Sequence, residues 1–373
     1  MILNALSGNG LVFNSHIYAI LFLVFILGCS QEPISSRINQ PEALPDFKVV
    51  YGDSKVFDGY IFLRQIISPG SQLMINSSGE VVWFQISDSA LFRPFTPYEE
   101  SYVALKSDQE IHEISYTGDT INLLKYGYHG FDRKLHHELI KDRFGNYVSL
   151  TRETLPLDLS EVGGNANDTV RTDGIIVLSP SGQKLWHWSL DQVLDPMAFN
   201  GILNVKKDWG HANALYIDTD GNYLVSWRDF NAIWKINSQT GERMWFVDES
   251  TLIAKGRRFY KQHGVHRNQA GDILLFDNGD RRTRPVSRAY SLRDDEDKSL
   301  VYSVALPDSL FTFKQGSVYE IGNDLLLFSS TTTKKLIITD RSGNIVWMAN
   351  SDHAFYRAYY LDKAFLKRNK IIS

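Results

Sequence analysis

Cysteine is almost missing from this chain: Cys29 is the single one in 373 residues. One cysteine excludes an intramolecular disulfide and leaves no set of thiolates to hold a metal. An excess of one charge is missing too. Lys+Arg 39 against Asp+Glu 43 gives a net charge of −4, which offers no reason to expect a nucleic-acid partner. No helical period runs beyond two turns, and residues 1–16 carry no Lys or Arg. What the chain does have is aromatic surface, with 8 Trp, 18 Tyr and 21 Phe, and a hydrophobic content of 43%. That composition favours strands around a sizeable core.

Residues 17–27, IYAILFLVFIL, form an uncharged apolar run too short to span a bilayer but suited to a signal-peptide core. The following Ile26-Leu27-Gly28-Cys29 resembles a bacterial lipobox, which implies cleavage before Cys29 and lipidation of its thiol. Residues 1–28 are therefore expected to be a lipoprotein signal peptide. The lipidated Cys29 and a polar, proline-containing tether then fill 29–46. The expected product is an exported lipoprotein, anchored to a membrane and facing the periplasm. Ser30 after Cys29 points towards the outer membrane by the same resemblance.

From residue 47 to 373 the chain repeats itself. A strand–turn–strand pattern recurs as LMINSSGEVVWF (73–84), IHEISYTGDTINLL (111–124), IIVLSPSGQKLWHW (175–188), IWKINSQTGERMWF (233–246), AYSLRDDEDKSLVY (289–302) and LIITDRSGNIVWM (336–348). Shorter apolar strands lie between these copies: YVALKS (102–107), GNYVSLTRE (145–153), GNYLVSWRD (221–229), GDILLFDNGD (271–280) and NDLLLFSSTTT (323–333). An inner strand followed by an outer hairpin, repeated about six times, predicts an all-β, six-bladed β-propeller. A pair of β-sandwiches is the alternative. Residues 155–172 and 191–207 read as loops or short helices between strands.

Aligning the repeats on their turn glycines brings out a register. His137 precedes Gly145 by eight positions, and His263 precedes Gly271 by eight. His136 then aligns with Gln262. His211 precedes Gly221 by ten, a difference that a longer turn through Asp218 and Asp220 accounts for. Innermost strands of successive blades would thus carry three histidines to one central opening. Arg228 ends the next, antiparallel strand and returns to the same rim. A single histidine at a strand end is ordinarily a hydrogen-bonded loop residue; three in register with an arginine suggest a site. His129, His187, His266 and His353 lack that register and read as structural.

Three histidines and an arginine, with no carboxylate placed among them by the register, make a hydrogen-bond-donating cup for an anion. One neutral histidine could attack an electrophilic phosphorus or sulfur, a second could protonate the departing oxygen, and Arg228 could hold the transferring charge. The same three imidazoles could alternatively bind a divalent metal, although a nearby guanidinium repels a dication. A non-catalytic cup for sulfated or other anionic ligands is the third reading.

The motifs themselves resemble those of the bacterial aryl-sulfate sulfotransferases that do not use the nucleotide sulfate donor. The likeness runs through LMINSSGEVVW, HHELIKDRFGNYV, HANALYIDTDGNYLVSWRDFNAIWKI, QHGVHRNQAGDILLFDNGD and RSGNIVW to YRAYY at 356–360. It implies a six-bladed propeller with its active site in the central channel. It also implies sulfuryl transfer from a phenolic sulfate ester to a phenol by a ping-pong route through a sulfohistidine. Carried over, His263 resembles the nucleophile. His211 and Arg228 resemble the pair gripping the sulfuryl oxygens, with Asn213 supporting. His137 matches the first histidine, and its neighbour His136 shares that motif. Acid–base duty falls to His211 or His137. No cofactor and no metal are expected. Soluble members of the family carry an N-terminal β domain for dimerisation and a disulfide; the short stretch between tether and first blade and the single Cys29 argue against both here, and the oligomeric state stays open.

Overall fold

The computed structural model describes residues 46–66, 70–87, 94–248, 251, 258–322 and 324–371. The expected signal segment 1–28 and the expected tether with Cys29, apart from Asp46, lie outside the described residues. Among these residues no helix is long and apolar enough to cross a membrane.

In chain order the strands are β1 (Phe47–Tyr51), β2 (Gly59–Gln65), β3 (Gly70–Ile75), β4 (Val81–Ser87), β5 (Phe95–Pro97), β6 (Ser101–Ser107), β7 (Glu110–Ser115) and β8 (Thr120–Lys125). Next come β9 (Lys134–Lys141), β10 (Tyr147–Leu157), β11 (Asp168–Leu178), β12 (Lys184–Ser189), β13 (Ala212–Ile217), β14 (Tyr223–Trp227), β15 (Ala232–Ile236) and β16 (Arg243–Val247). The chain finishes with β17 (His263–Arg267), β18 (Ile273–Asp277), β19 (Arg288–Leu292), β20 (Leu300–Ala305), β21 (Ser317–Ile321), β22 (Leu325–Ser330), β23 (Lys335–Thr339), β24 (Ile345–Ser351) and β25 (Phe355–Asp362).

These strands form six antiparallel sheets, β25-β2-β3-β4, β5-β6-β7-β8, β9-β10-β11-β12, β13-β14-β15-β16, β17-β18-β19-β20 and β21-β22-β23-β24-β1. The innermost strands β9, β13, β17, β21 and β25 pack on one another in succession, and Tyr359 Oη on β25 bonds the Phe95 carbonyl on β5. The protein is a six-bladed propeller, as the repeat predicts, and not a pair of sandwiches. All six strand–turn–strand copies are the third and fourth strands of a blade, counted from the centre.

Closure uses both ends of the ring. The C-terminal strand β25 is the innermost strand of the first blade, while the N-terminal β1 caps the outer edge of the last one. Apolar residues of each blade pack against the next blade, in clusters around Trp209, Trp227 and Trp234, around Trp347, or around Phe62 and Tyr102. Each such side chain withdrawn from water contributes about 1.5–3 kcal/mol.

One expectation changes. Residues 155–172 are not simply a loop: β10 and β11 are eleven residues each and stay paired out to Leu157 and Asp168. Pro156 and Gly163 suggest a break in the sequence, but strand pairing carries on past the proline and a short 3₁₀ turn at Ser160–Val162 reverses the chain. The stretch 191–207 does hold short helical pieces, including α1 (Ile202–Val205), and α2 (Phe365–Arg368) follows β25.

Candidate active site

Four innermost strands are bulged at one level, and the bulges present the chemistry. On β9, His136 pairs with Leu150 and Leu139 with Ser149, so His137 and Glu138 are extra residues. On β13, Asn213 is the unpaired residue between Ala212 and Ala214. On β17 the shift falls between His263 and His266, and on β25 between Phe355 and Ala358. A bulge kinks the strand and re-aims its side chains. His137 (φ 52°) and His211 (φ 50°) accordingly sit in left-handed backbone, which costs a non-glycine residue energy that its surroundings must offset. Gly210 makes the turn into His211 possible: its φ is +96°, and a Cβ there would meet Leu190 and the Trp227 ring at 3.0 Å.

The structure brings His137, His211, His263 and Arg228 together, as the register predicts. The His137 and His211 rings are 5.1 Å apart, edge to face. Arg228 Nη1 is 3.2 Å from His211 Nε2, and the Arg228 amide donates to the His211 carbonyl at 3.0 Å. Because a guanidinium only donates, His211 Nε2 accepts and its Nδ1–H donates to Asp208 Oδ2 at 2.6 Å. Burial acts to raise the Asp208 carboxyl, but the bond to His211 and the charges of His211 and Arg228 hold it below its usual value.

His263 is buried, 3% exposed. Its Nδ1 lies 2.6 Å from Asn278 Oδ1 and 2.9 Å from the Lys261 carbonyl. Asn278 is itself oriented, since its amide donates to the Thr312 and Gln315 carbonyls. Both partners of Nδ1 are acceptors, so Nδ1 carries the proton and Nε2 the lone pair. The Gln315 backbone N–H donates to that Nε2 at 3.3 Å. Burial pushes the ring down to about 3, against the Asn278 bond and with help from the charges of His211, Arg228 and Arg357. Burial and then the fields of His136, His211, His263 and Arg357 likewise hold His137 well below its ordinary value.

His136 borders the cavity but engages both ring nitrogens with protein partners. Its Nε2 reaches Asp173 Oδ1 and the Thr151 carbonyl, both at 3.0 Å, and its Nδ1 lies 2.7 Å from His137 Nδ1. It therefore fixes the orientation of His137. Asn213 is fully buried, and its amide donates to the Gln262 carbonyl at 2.7 Å. It acts through the strand that bears His263.

The cup is not free of carboxylates, contrary to the sequence reading. Asp173 comes from β11 and Asp208 from the loop before β13. Glu138 follows His137 and pairs with Arg357 at 2.6 Å. Burial raises the Glu138 carboxyl while Arg357 opposes the shift. Sequence spacing misses these groups because each pairing crosses between strands or blades. Asp208, His211 and Asp229 place one donor atom each within 4.8 Å of one another, a set that could hold a metal. Asp229 is, however, already paired with Arg228 at 3.0 Å and Lys261 at 2.9 Å, so a cation there would displace two positive charges. Of the histidines read as structural, His187 pairs with Glu153 at 2.8 Å. His266 packs on Tyr319 at 4.7 Å.

Above the histidines opens a cavity of about 560 Å³, lined among others by His136, His137, His211, Asp173 and Asp208. A second cavity, of about 290 Å³, holds the later residues of the same strands, including Glu138, His266, Tyr319 and Arg357. Glu138 and Arg357 line this second cavity and not the first.

The family model described as Arylsulfotransferase (ASST) matches residues 48–320. No curated protein matches the chain. Among solved structures, a protein of unknown function from Bacteroides caccae superimposes with a TM-score of 0.51 at 13% identity, covering 82% of this chain and 99% of that one. BamB from Moraxella catarrhalis gives 0.38 at 10% identity, covering 82% and 80%. Virginiamycin B lyase from Staphylococcus aureus gives 0.38 at 8%, covering 82% and 88%. At such identities the likeness concerns the fold alone.

Proposed function

This chain belongs to the arylsulfotransferase family, and from that premise we propose that it moves a sulfuryl group from an aryl sulfate to a phenol through a sulfohistidine at His263. The observation that carries this reading is the His263 tautomer: a buried neutral imidazole with Nδ1–H pinned by Asn278 and its lone pair on Nε2. A neutral, pre-oriented imidazole is a nucleophile at any ordinary pH.

In the first half-reaction His263 Nε2 attacks sulfur. The N–S bond forms as the S–O(aryl) bond breaks, and the electron pair leaves on the phenolate oxygen. Arg228 and His211 face the sulfuryl oxygens, where a fixed guanidinium stabilises the charge of the transition state. Arrival of the anion also reverses the field at His137. Burial first, and then the neighbouring imidazoles and Arg357, hold its basicity down in the free enzyme; a bound sulfuryl anion acts against that, so His137 can take a proton. In the second half-reaction an acceptor phenol gives its proton to His137 and its oxygen attacks sulfur. The N–S electron pair then returns to His263, and His137 releases its proton to water, which restores the starting state. The reaction needs no cofactor. The lipobox-like Ile26–Cys29 supports an exported lipoprotein, anchored to the membrane and facing the periplasm.

Incubation with 4-nitrophenyl sulfate and excess phenol should release 4-nitrophenol and yield phenyl sulfate. With donor alone, one SO₃ should add to the peptide that contains His263. Folded protein that transfers nothing across a panel of aryl sulfates would refute the reading.

A further inference from the structure

We propose that the mouth of the catalytic cavity is a subsite for a second anionic group, so that the preferred aryl substrates carry a carboxylate or sulfate besides the reacting oxygen. The proposal rests on the sulfotransfer reading and names its substrate class. It starts from the overlong hairpin. Beyond Thr151, β10 and β11 continue past the length of the neighbouring inner strands and form one wall of the cavity, with Arg152, Thr154 and Arg171 lining it. Arg152 pairs across the ladder with Asp173, and Thr154 with Arg171, so the two arginines are diagonal neighbours on one face. The wall is braced by the loop that carries the histidine: Arg171 N–H donates to the Lys206 carbonyl at 2.7 Å, and Trp209 N–H to the Arg171 carbonyl at 2.8 Å. Lys207, from that loop, also lines the cavity.

The formal charges around this cavity balance, but their engagements do not. Its four acids are committed. Asp173 receives His136 Nε2 and the Ala212 amide, Asp208 receives His211, Glu153 holds Arg133 and His187, and Asp108 faces Lys134 at 3.7 Å. Arg152, Arg171 and Lys207 are exposed, and none of the three side chains has a hydrogen bond or ion pair among the described residues. Three uncompensated cations along one wall repel one another, and a ligand anion removes that repulsion. Arg152 and Arg171 present planar donor forks matched to a carboxylate or sulfate. The group they hold is distinct from the sulfuryl on His263, which Arg228 and His211 face.

The test compares two acceptors of matched phenol acidity, 3-(4-hydroxyphenyl)propanoate and its neutral amide, with 4-nitrophenyl sulfate as donor. The propanoate should show a kcat/KM about tenfold or more above the amide, an advantage that shrinks as salt rises. Arg152→Gln, Arg171→Gln and Lys207→Gln should each cut the propanoate value several-fold, mostly in KM, and move the amide far less. Equal use of the two acceptors, or variants that slow both alike, overturns the subsite. Calorimetric binding of both compounds to the unreacted protein separates the claims. Tighter binding of the propanoate without turnover upholds the subsite and sinks the sulfotransfer reading. Turnover without preference does the reverse. Should Arg171→Gln fail to fold, Arg152→Gln and Lys207→Gln decide the matter.

Discussion

Glu138 and Arg357, 219 residues apart in the chain, meet in the propeller channel as a 2.6 Å ion pair. Both are buried, at 3% and 5% exposure, and they come from strands of different blades, so each buries its charge only because the other is present. Arg357→Met alone strands a buried carboxylate and should cost about 3–5 kcal/mol. Denaturant unfolding would show this, and pairing the change with Glu138→Leu should return much of the loss. A single variant as stable as the parent would mean that water reaches the pair.

Asn278 sets the His263 tautomer without touching substrate. Asn278→Leu removes the nearer of two acceptors for Nδ1–H and leaves only the Lys261 carbonyl, so the ring is held less firmly and kcat should fall about 10²-fold with KM little changed. His263→Ala should abolish the burst of phenol released from donor alone. Stopped-flow absorbance with 4-nitrophenyl sulfate reads both; a full burst in His263→Ala would move the nucleophile elsewhere.

Three histidines are held neutral by burial, His263 down to about 3, His266 to about 4, and His137 well below its ordinary value. In the unfolded chain each titrates near 6.5. Between those limits the unfolded state binds more protons, so stability is complete above pH 6.5 and falls with decreasing pH. The slope is about 1.4 kcal/mol per pH unit for each such histidine. Thermal unfolding from pH 7 to 4 should show the decline, and His266→Phe should flatten it. A melting temperature level over that range would contradict the burial of these rings.

Removal of divalent ions should leave turnover unchanged. Arg228 and Lys261 already neutralise Asp229, and Arg228 occupies His211 Nε2, so the Asp208–His211–Asp229 set is closed by its own cations. Loss of activity on chelation, restored by zinc, would reopen the metal-dependent reading.

The ring of blades was legible because hairpin turns and apolar strands repeat locally. Turns such as Asp142–Asn146, Asp218–Asn222 and Asn268–Asp272 close with the same glycine-to-aspartate or glycine-to-asparagine backbone bond. That repetition put His137 and His263 at equivalent places in their blades, with His211 close to the same register. It could not reveal Asp173, Glu138 or Arg357 as partners, because no sequence spacing encodes contacts between non-adjacent strands or between blades, and bulges break the alternation that assigns faces. Asn278 sat within the quoted FDNG run, yet its role depends on carbonyls of Thr312 and Gln315 in the next blade. The strand continuing past Pro156 was hidden for a different reason: proline and the glycines beyond it are turn residues by propensity, and the pairing of β10 with β11 overrides them.

Because β25 supplies the first blade's inner strand, the ring closes only when this strand, far along the chain from β2, has joined it. A chain extended through His137, His211 and His263 still lacks Tyr356, whose ring stands 6.1 Å from that of His263, and Arg357, which compensates Glu138. A product stopped short of Phe355 carries all the reactive groups and an open ring, with a carboxylate lacking its counter-ion. The histidines are therefore all present before the ring closes, and it is the pairing of β25 with β2 that sets the surroundings in which they sit.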